Sequence, residues 1–186
     1  MYELIILSLL MERPAHGYLI AKVVNGIVGP VAKVNNGRLY PLLAKMEKEG
    51  QIKPCQTEDL VTGGGRQVNC YEITQSGRAL FFQLMLDTTS NLSDYQKIFW
   101  LKASLLEYLS ISDRLFVIEH YINYCYSHVS YLNIKTRQLE ENQAGPVHRR
   151  ATLDMLRHRA QHWKNEMEWA VELREKELAN SVSTRI

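Results

Sequence analysis

Basic and hydrogen-bonding side chains gather in one short stretch of the chain, residues 33–53. This stretch holds five Lys or Arg against two Glu, and it includes Arg38 and Tyr40. A guanidinium fork matches the O6 and N7 acceptors of guanine, and phenol or ammonium groups donate to phosphate oxygens. The chemistry that these residue types indicate is therefore nucleic-acid recognition. The basic excess by itself is small, so the elements that hold these side chains decide whether they can act together.

Each candidate contact residue has more than one interpretation. Arg38 could contact a guanine edge, bind phosphate, or be a solvated charge. Tyr40 could pack its ring or donate its hydroxyl to phosphate. Arg66 follows Gly63-Gly64-Gly65 and could reach a phosphate, enter a minor groove, or lie exposed on a loop.

Catalytic and metal-binding patterns are weak in this sequence. His158, His162 and Glu166 recur every four residues, as ligands on a helix can, but no further ligand accompanies them. There is no nucleophile elbow, and Gly63-Gly64-Gly65 does not precede a helix as a phosphate-binding loop would. We predict that the chain is not an enzyme, holds no metal and needs no cofactor.

The composition is that of a globular protein. The chain has 186 residues, 46% of them hydrophobic, and a net charge of +2. The apolar run near the N-terminus has no basic leader, and no stretch approaches the roughly 20 apolar residues that cross a bilayer. The three cysteines have no metal-type spacing, and their odd number fits a reducing compartment. We expect a cytoplasmic protein that does not enter a membrane.

The N-terminal half predicts three helices followed by a β-hairpin. Helices are expected at 4–11, 15–28 and 35–49, strands at 51–57 and 66–74, and a fourth helix capped by Thr74. Asn35 and Asn36 are plausible caps of the third helix, which begins either at Asn36, with Pro41 bending it, or at Pro41 itself. Tyr18 is assigned to the buried side of the second helix. This order is that of a winged helix-turn-helix domain, in which the third helix reads the major groove. We place this DNA-binding domain at residues 1–88.

The C-terminal half predicts two long helices. Apolar residues from Ile111 to Leu139, and again from Leu153 to Ala170, step alternately by three and four. Gly145-Pro146 separates them, so the helices should fold back antiparallel. The fold class is mostly α with a small β-hairpin, and residues 89–180 form a helical domain before a frayed tail at 181–186. Two seams exceed the needs of one domain, which indicates a homodimer through Ile118, Ile122, Cys125, Val129, Leu132, Leu156, Trp163 and Met167.

An aromatic stripe runs beside the first of these seams. It holds Tyr121, Tyr124, His128 and Tyr131, and Phe99 and Trp100 come from the preceding helix. Such a stripe is either core or dimer interface, or it lines a pocket for a planar effector.

Two cysteines fall on the predicted hairpin. If the hairpin is symmetric about residues 62 and 63, Cys55 faces Cys70, with both side chains pointing outward. The pair is either a thiol switch that alters the wing or two reduced thiols that happen to be neighbours.

The sequence resembles the PadR family of regulators. The stretches that show this resemblance are LIILSLLMERPAHGYLI at residues 4–20, NNGRLYPLLAKMEKEGQI at 35–52, and the run from Tyr71 to Gly77. The match covers residues 3–85, and residues 90–180 resemble the long C-terminal type in layout. The family implies a dimeric regulator of double-stranded operator DNA that a small aromatic acid or a drug can release. By carry-over, the DNA-facing positions are Asn35, Asn36, Arg38 and Tyr40 on the third helix and Lys53 and Arg66 on the wing.

These observations predict a bacterial, ligand-responsive repressor that acts as a homodimer on a pseudo-palindromic operator. The alternatives are a winged-helix module that binds protein, and a helical small-molecule binder without DNA binding.

Overall fold

A computed structural model describes residues 1–29, 36–55, 69–142 and 148–183. The chain divides into two compact units, Met1–Asp87 and Thr88–Ile186. It is mostly helical with one small antiparallel sheet, as the sequence predicts.

The first unit contains four of the described helices and all of the described strands. Its core element is α1, in which Leu4 to Leu10 are all buried. This helix is covered on every side, so it shows no polar face. The elements are α1 (Tyr2–Glu12), β1 (Ala15–His16), α2 (Gly17–Val28), α3 (Asn36–Lys48), β2 (Ile52–Cys55), β3 (Cys70–Ile73) and α4 (Gln75–Leu86).

The strands form an antiparallel sheet in the order β1-β3-β2. Ile52 pairs with Ile73 and Cys55 with Cys70, which is the register that the symmetric hairpin predicts. The sequence does not predict strand β1: Ala15 and His16 are expected in a helix, but they pair with β3. The glycine-rich tip of the hairpin lies outside the described residues.

Helix α3 begins at Asn36 and contains Pro41, so the alternative start at Pro41 is wrong. Leu39, Leu43 and Met46 are buried, and their helical spacing turns one face to the core. Gly50 ends the helix with a positive φ of 71°. The Gln51 amide donates to the Met46 carbonyl at 2.9 Å, which satisfies a free carbonyl of the last turn.

Helix α2 buries Gly17, Ile20 and Val24. The assignment of Tyr18 to the buried side is wrong, because 74% of its surface is exposed. Tyr18 and Ile20 are two residues apart, so they lie on nearly opposite sides of the helix, and the side that holds Ile20 and Val24 is the one that packs on the core.

Thr74 caps α4 as predicted. Its hydroxyl oxygen accepts from the Gly77 amide at 3.1 Å, and the hydroxyl also lies 2.6 Å from the Gly50 carbonyl. The start of α4 is therefore fastened to the turn that ends α3.

The second unit is helical. It contains α5 (Tyr95–Ala103), α6 (Ile111–Glu141) and α7 (Arg149–Ser183), with short 3₁₀ turns at Leu92–Asp94 and Leu106–Tyr108. In the side-chain contacts between α6 and α7, the residue numbers increase along α6 while they decrease along α7. The contacts join Arg114 to Glu177, Tyr121 to Glu166, and Glu140 to Arg157. The two helices are therefore antiparallel, as predicted. Within the described ranges, no helix combines the length and apolar character that crossing a bilayer requires.

Candidate nucleic-acid interface and aromatic cavity

The outward face of α3 is basic. Arg38, Lys45 and Lys48 recur at spacings of seven and three, so they lie on one side of the helix, away from the buried leucines. Lys45 lies 3.9 Å from a Glu3 carboxylate oxygen and 3.8 Å from one of Glu49. Across the part of the chain that the structure describes, Arg38 and Lys48 make no ion pair. Two cations on this face are thus available to an anionic ligand.

Tyr40 lies where α3 meets the first turn of α2. A Cβ added to Gly17 would stand 3.1 Å from Cε1 of Tyr40 and 3.4 Å from its hydroxyl oxygen. Glycine lets the ring pack against the backbone here, while 42% of Tyr40 stays exposed. Tyr40 therefore both packs and presents surface, so its two predicted roles are compatible.

Two exposed residues of α2 adjoin this contact and are not among the sequence-predicted candidates. Tyr18 follows Gly17 directly, and Lys22 is one turn further on the same side of the helix. The sequence feature that could have pointed to these two residues is the His16-Gly17-Tyr18 step. It does not by itself indicate an exposed tyrosine, because an aromatic residue in an apolar run is usually core.

The other predicted contact residues are placed as follows. Asn36 is the first residue of α3. Asn35 and Arg66 lie outside the described residues, as does the side chain of Asn36. Lys53 is exposed on β2, and its Nζ lies 2.8 Å from a Glu72 carboxylate oxygen on β3, so part of its charge is already offset.

A cavity of about 520 Å³ opens in the second unit. This volume is in the range of small-molecule sites. The lining combines aromatic rings with polar groups and one cation: Leu92, His120, Asn123, Tyr124, Ser127, His128, Tyr131, Leu132 and Arg159.

The rings behind this cavity are held firmly. The His128 imidazole stacks on Trp163, with ring centres 4.2 Å apart and planes 7° from parallel. The Tyr124 hydroxyl donates to the Leu92 carbonyl at 3.0 Å. Burial lowers the pKa of His128, and nearby Arg159 lowers it further. The imidazole therefore favours its neutral form in the folded chain.

The six predicted effector residues divide between the cavity and its surroundings. Tyr124, His128 and Tyr131 line it. Phe99 and Tyr121 are fully buried and stack with centres 3.7 Å apart, as core residues. Trp100 is 46% exposed, and its Nε1–H donates to Glu166 at 3.0 Å.

The residues predicted to form the dimer interface lie mostly inside the single chain. Ile122 and Met167 are half-buried, whereas the other six are buried: Ile118, Cys125, Val129, Leu132, Leu156 and Trp163. The seams of α6 and α7 cover each other, so their burial requires no second copy. Two apolar seams in this unit therefore do not indicate a dimer through these residues.

Among the described residues, no group of three or more His, Cys, Asp or Glu is arranged to hold a metal ion. His162 instead lies 3.0 Å from the Gln96 side-chain nitrogen. Glu166 accepts from both Trp100 and the Tyr121 hydroxyl, the latter at 2.6 Å.

Comparison with known proteins identifies the first unit. Residues 6–83 match the transcriptional regulator PadR-like family. A solved transcriptional regulator from Clostridium thermocellum is 31% identical over 44% of this chain and 75% of its own, with a TM-score of 0.38. Residues 6–83 are therefore a domain of the PadR-like family of transcriptional regulators. This family is not enzymatic, in agreement with the sequence prediction.

Two further solved structures, both of the same PadR protein, are similar to this chain over nearly the whole length of both chains. Bacillus subtilis PadR in complex with operator DNA is 20% identical over 94% of this chain and 96% of its own, with a TM-score of 0.43. The same protein in complex with p-coumaric acid is 19% identical over 94% and 97%, with a TM-score of 0.39. No curated protein sequence matches this chain.

Proposed function

We propose that this PadR-like regulator is a bacterial cytoplasmic repressor that binds a pseudo-palindromic operator duplex as a homodimer and releases it when a small aromatic effector binds. The observation that supports DNA binding is the basic outward face of α3. Arg38 and Lys48 project from it without an ion-pair partner in the described residues, on the helix that enters the major groove in winged helix-turn-helix proteins.

The roles of the surface residues follow from their chemistry. Arg38, near the start of α3, contacts a guanine edge or a phosphate. Tyr40 and Tyr18 donate hydroxyls to phosphates, and Lys48 adds charge. Asn35, Asn36, Lys53 and Arg66 remain further candidates, as the sequence resemblance implies. Phosphate contacts fix the position of the helix and base contacts give specificity, so the two kinds should differ in mutational signature.

The test uses a duplex selected from a random pool by the full-length protein. Arg38→Ala should weaken its binding by about 1–3 kcal/mol if it contacts guanine, with relaxed preference at one position. Tyr40→Phe should weaken binding to all sequences about equally. Arg157→Ala, an exposed cation on the second unit, is the control and should change little. Failure to select any duplex, or affinity unaffected by salt, would favour the protein-interaction alternative.

The homodimer is proposed through the exposed side of the second unit. Phe116 and Ile134 are 53% and 56% exposed and lie eighteen positions apart on α6, which places them on one side. Exposed apolar side chains mark interaction surfaces where they form a contiguous patch, and we propose that these two residues belong to one patch on this side of the unit. Among the described residues of this unit, the other large apolar residues with exposed side chains are Leu92, Trp100, Tyr126, Tyr131, Met155, Trp169 and Leu178.

Light scattering of Phe116→Asp with Ile134→Asp tests this surface. We expect a folded monomer, because charge would lie in the interface of a dimer but in water on the monomer. Val129→Asp serves as comparison: Val129 is buried within one chain, so it should unfold the helical unit instead. An intact dimer in the double variant would place the interface elsewhere.

The effector is proposed to occupy the cavity beside Tyr124 and His128. The rings offer stacking surfaces, and Arg159 supplies a cation, so the fitting chemistry is a planar aromatic anion. Trp163 stacks on the cavity residue His128, so its fluorescence should respond. In a titration with hydroxycinnamates and benzoates, Trp163→Phe should remove most of the change and Trp100→Phe little of it. The reverse pattern would contradict this location.

A further inference from the structure

The sheet of the first unit brings three reactive side chains into one row. His16 on β1 pairs with Cys70 on β3, and Cys70 pairs with Cys55 on β2. Residues directly opposite each other in antiparallel strands have side chains on the same face. His16 is therefore the neighbour of Cys70 across β1 and β3, and Cys70 is the neighbour of Cys55, although His16 and Cys55 are far apart in sequence.

Cys55 and Cys70 are joined by a disulfide, with Cα atoms 5.2 Å apart. Cys70 is only 4% exposed, whereas Cys55 is half-buried. The prediction that both cysteines face outward is therefore wrong for Cys70. This asymmetry leaves Cys55 as the sulfur that a reagent in solution can reach.

His16 has an unusual environment in this row. Its Nδ1 is buried and has no hydrogen-bond partner among the described residues. A buried ring nitrogen without a partner costs free energy, and a redox or catalytic role is one explanation for keeping such a group. An imidazole nitrogen beside a thiol can take up the thiol proton, and the thiolate is the form that reacts.

We propose that Cys55 and Cys70 form a reversible dithiol–disulfide site for hydroperoxides, with His16 as its proton acceptor. The Cys55 thiol first loses its proton to water, and the thiolate attacks a peroxide oxygen. The O–O bond breaks, Cys55 becomes a sulfenic acid, and the hydroxide that leaves takes up the proton that Cys55 released, giving the first water. The Cys70 thiol gives its proton to His16 and its sulfur attacks Cys55. The S–S bond forms, the S–O bond breaks, and the hydroxide that leaves takes up the proton from His16. In total two thiols lose two electrons and hydrogen peroxide becomes two waters; a dithiol reductant reverses the change.

The same contacts connect this site to the proposed DNA surface. His16 is followed by Gly17, whose amide donates to the Asn69 carbonyl at 3.2 Å, directly before Cys70. Gly17 in turn is the residue against which Tyr40 packs. A change in the β1–β3 pairing would therefore reach Tyr40 of α3 through consecutive contacts. We infer that oxidation changes operator affinity.

The chemical step is tested on the full-length protein. After reduction, dilute hydrogen peroxide should yield a Cys55–Cys70 cross-linked peptide in mass spectrometry, and a dithiol should remove it. Cys125 is a built-in comparison, because burial raises the pKa of its thiol to about 12 and keeps it unreactive. Cys125→Ser should still form the cross-link. Absence of this peptide in the wild-type protein would overturn the site.

The role of His16 is tested by rate. His16→Gln should slow disulfide formation near neutral pH and shift its pH dependence upward, with the rate recovering as alkali ionises the thiols directly. His158→Gln, on an exposed helix face of the second unit, should leave the rate and its pH profile unchanged. If His16→Gln forms the cross-link at the wild-type rate at every pH, the assignment of His16 is wrong.

The regulatory step rests on the proposed DNA binding and is tested separately. Reduced and oxidised wild-type protein should differ in affinity for the selected duplex by about fivefold or more, the lower end of coupling between sites. Cys55→Ser and Cys70→Ser should show no such difference. Equal affinities in the two wild-type states would overturn the coupling. A chain that forms the disulfide but binds no duplex in either state would contradict the proposed function and leave the thiol site standing.

Discussion

The packing of Gly77 gives a prediction whose size follows directly from the structure. A Cβ built at this position would stand 2.0 Å from the Gln51 carbonyl oxygen and 2.9 Å from Cγ1 of Ile73. An ordinary carbon–oxygen contact is more than an ångström longer than the first distance. Gly77→Ala must therefore push the start of α4 away from the end of α3.

That movement breaks identifiable contacts. The Gln51 carbonyl accepts from the Thr74 amide at 3.1 Å and from the Thr74 hydroxyl at 3.0 Å. Two lost hydrogen bonds cost about 1 kcal/mol each, and overpacking strain adds about 1–3 kcal/mol. The better helix propensity of alanine returns about 1 kcal/mol. The net loss is about 2–4 kcal/mol, a large part of the stability of a typical domain.

Gly26 provides the matched control. It lies in α2, is exposed, and has no atom within 4 Å of an added Cβ. Gly26→Ala should raise the free energy of unfolding by about 0.5–1 kcal/mol through helix propensity alone. Urea unfolding followed by far-UV circular dichroism measures both variants. Gly77→Ala should move the midpoint of the first unit down by about 1 M or more. If Gly77→Ala proves as stable as the wild type, the close approach of α4 to Gln51 is not a constraint on this fold.

Three further predictions concern the second unit, all measured as free energies of unfolding. Tyr121→Phe removes the 2.6 Å hydrogen bond to Glu166 and should cost about 1.5–3 kcal/mol, whereas Tyr131→Phe, 58% exposed, should cost almost nothing; equal losses would contradict the assignment. Arg114→Met breaks a 2.8 Å ion pair with Glu177 in which the side chains are only 18% and 13% exposed, and it should cost about 2–3 kcal/mol. Arg157→Met breaks the exposed ion pair with Glu140 and should cost less than about 1 kcal/mol. The opposite ranking would show that burial does not govern the strength of these pairs. Burial lowers the pKa of His128, so the neutral form is favoured in the folded state, and stability should be full above the ordinary histidine pKa of about 6.5 and fall as the pH drops below it. His128→Gln should make that decline shallower. An increase in stability as the pH is lowered from about 7 to 5.5 would contradict the predicted direction of the effect.

Much of the fold could be predicted because its signals are local. The three-four spacing of apolar residues in α3, α6 and α7 follows from the helical repeat, which any stretch of sequence displays without its neighbours. Thr74 before a helix and Gly50 after one are recognised in the same way, since a cap satisfies backbone groups within a few residues. The antiparallel pairing of α6 and α7 needed only the lengths of two amphipathic segments and the Gly-Pro between them.

The candidate sites depended more on packing between distant segments. Tyr121 and Tyr124 belong to one sequence stripe and both contact α7, yet Tyr121 also stacks on Phe99 of α5 in the core, whereas Tyr124 lines a cavity. Tyr18 fits the apolar pattern of α2 but is exposed, because the side of the helix that packs on the core is the one that holds Ile20 and Val24.

What the sequence by itself determined is therefore the set of elements, their order and the chemistry that each can offer. The spacing of Cys55 and Cys70 also indicated their register, because a hairpin pairs residues by counting from its turn. Only the tertiary structure decided that His16 stands beside them and that Gly17 supports Tyr40. Those contacts join residues that are far apart in sequence, and such pairs are selected by the packing of the whole unit rather than by any local repeat.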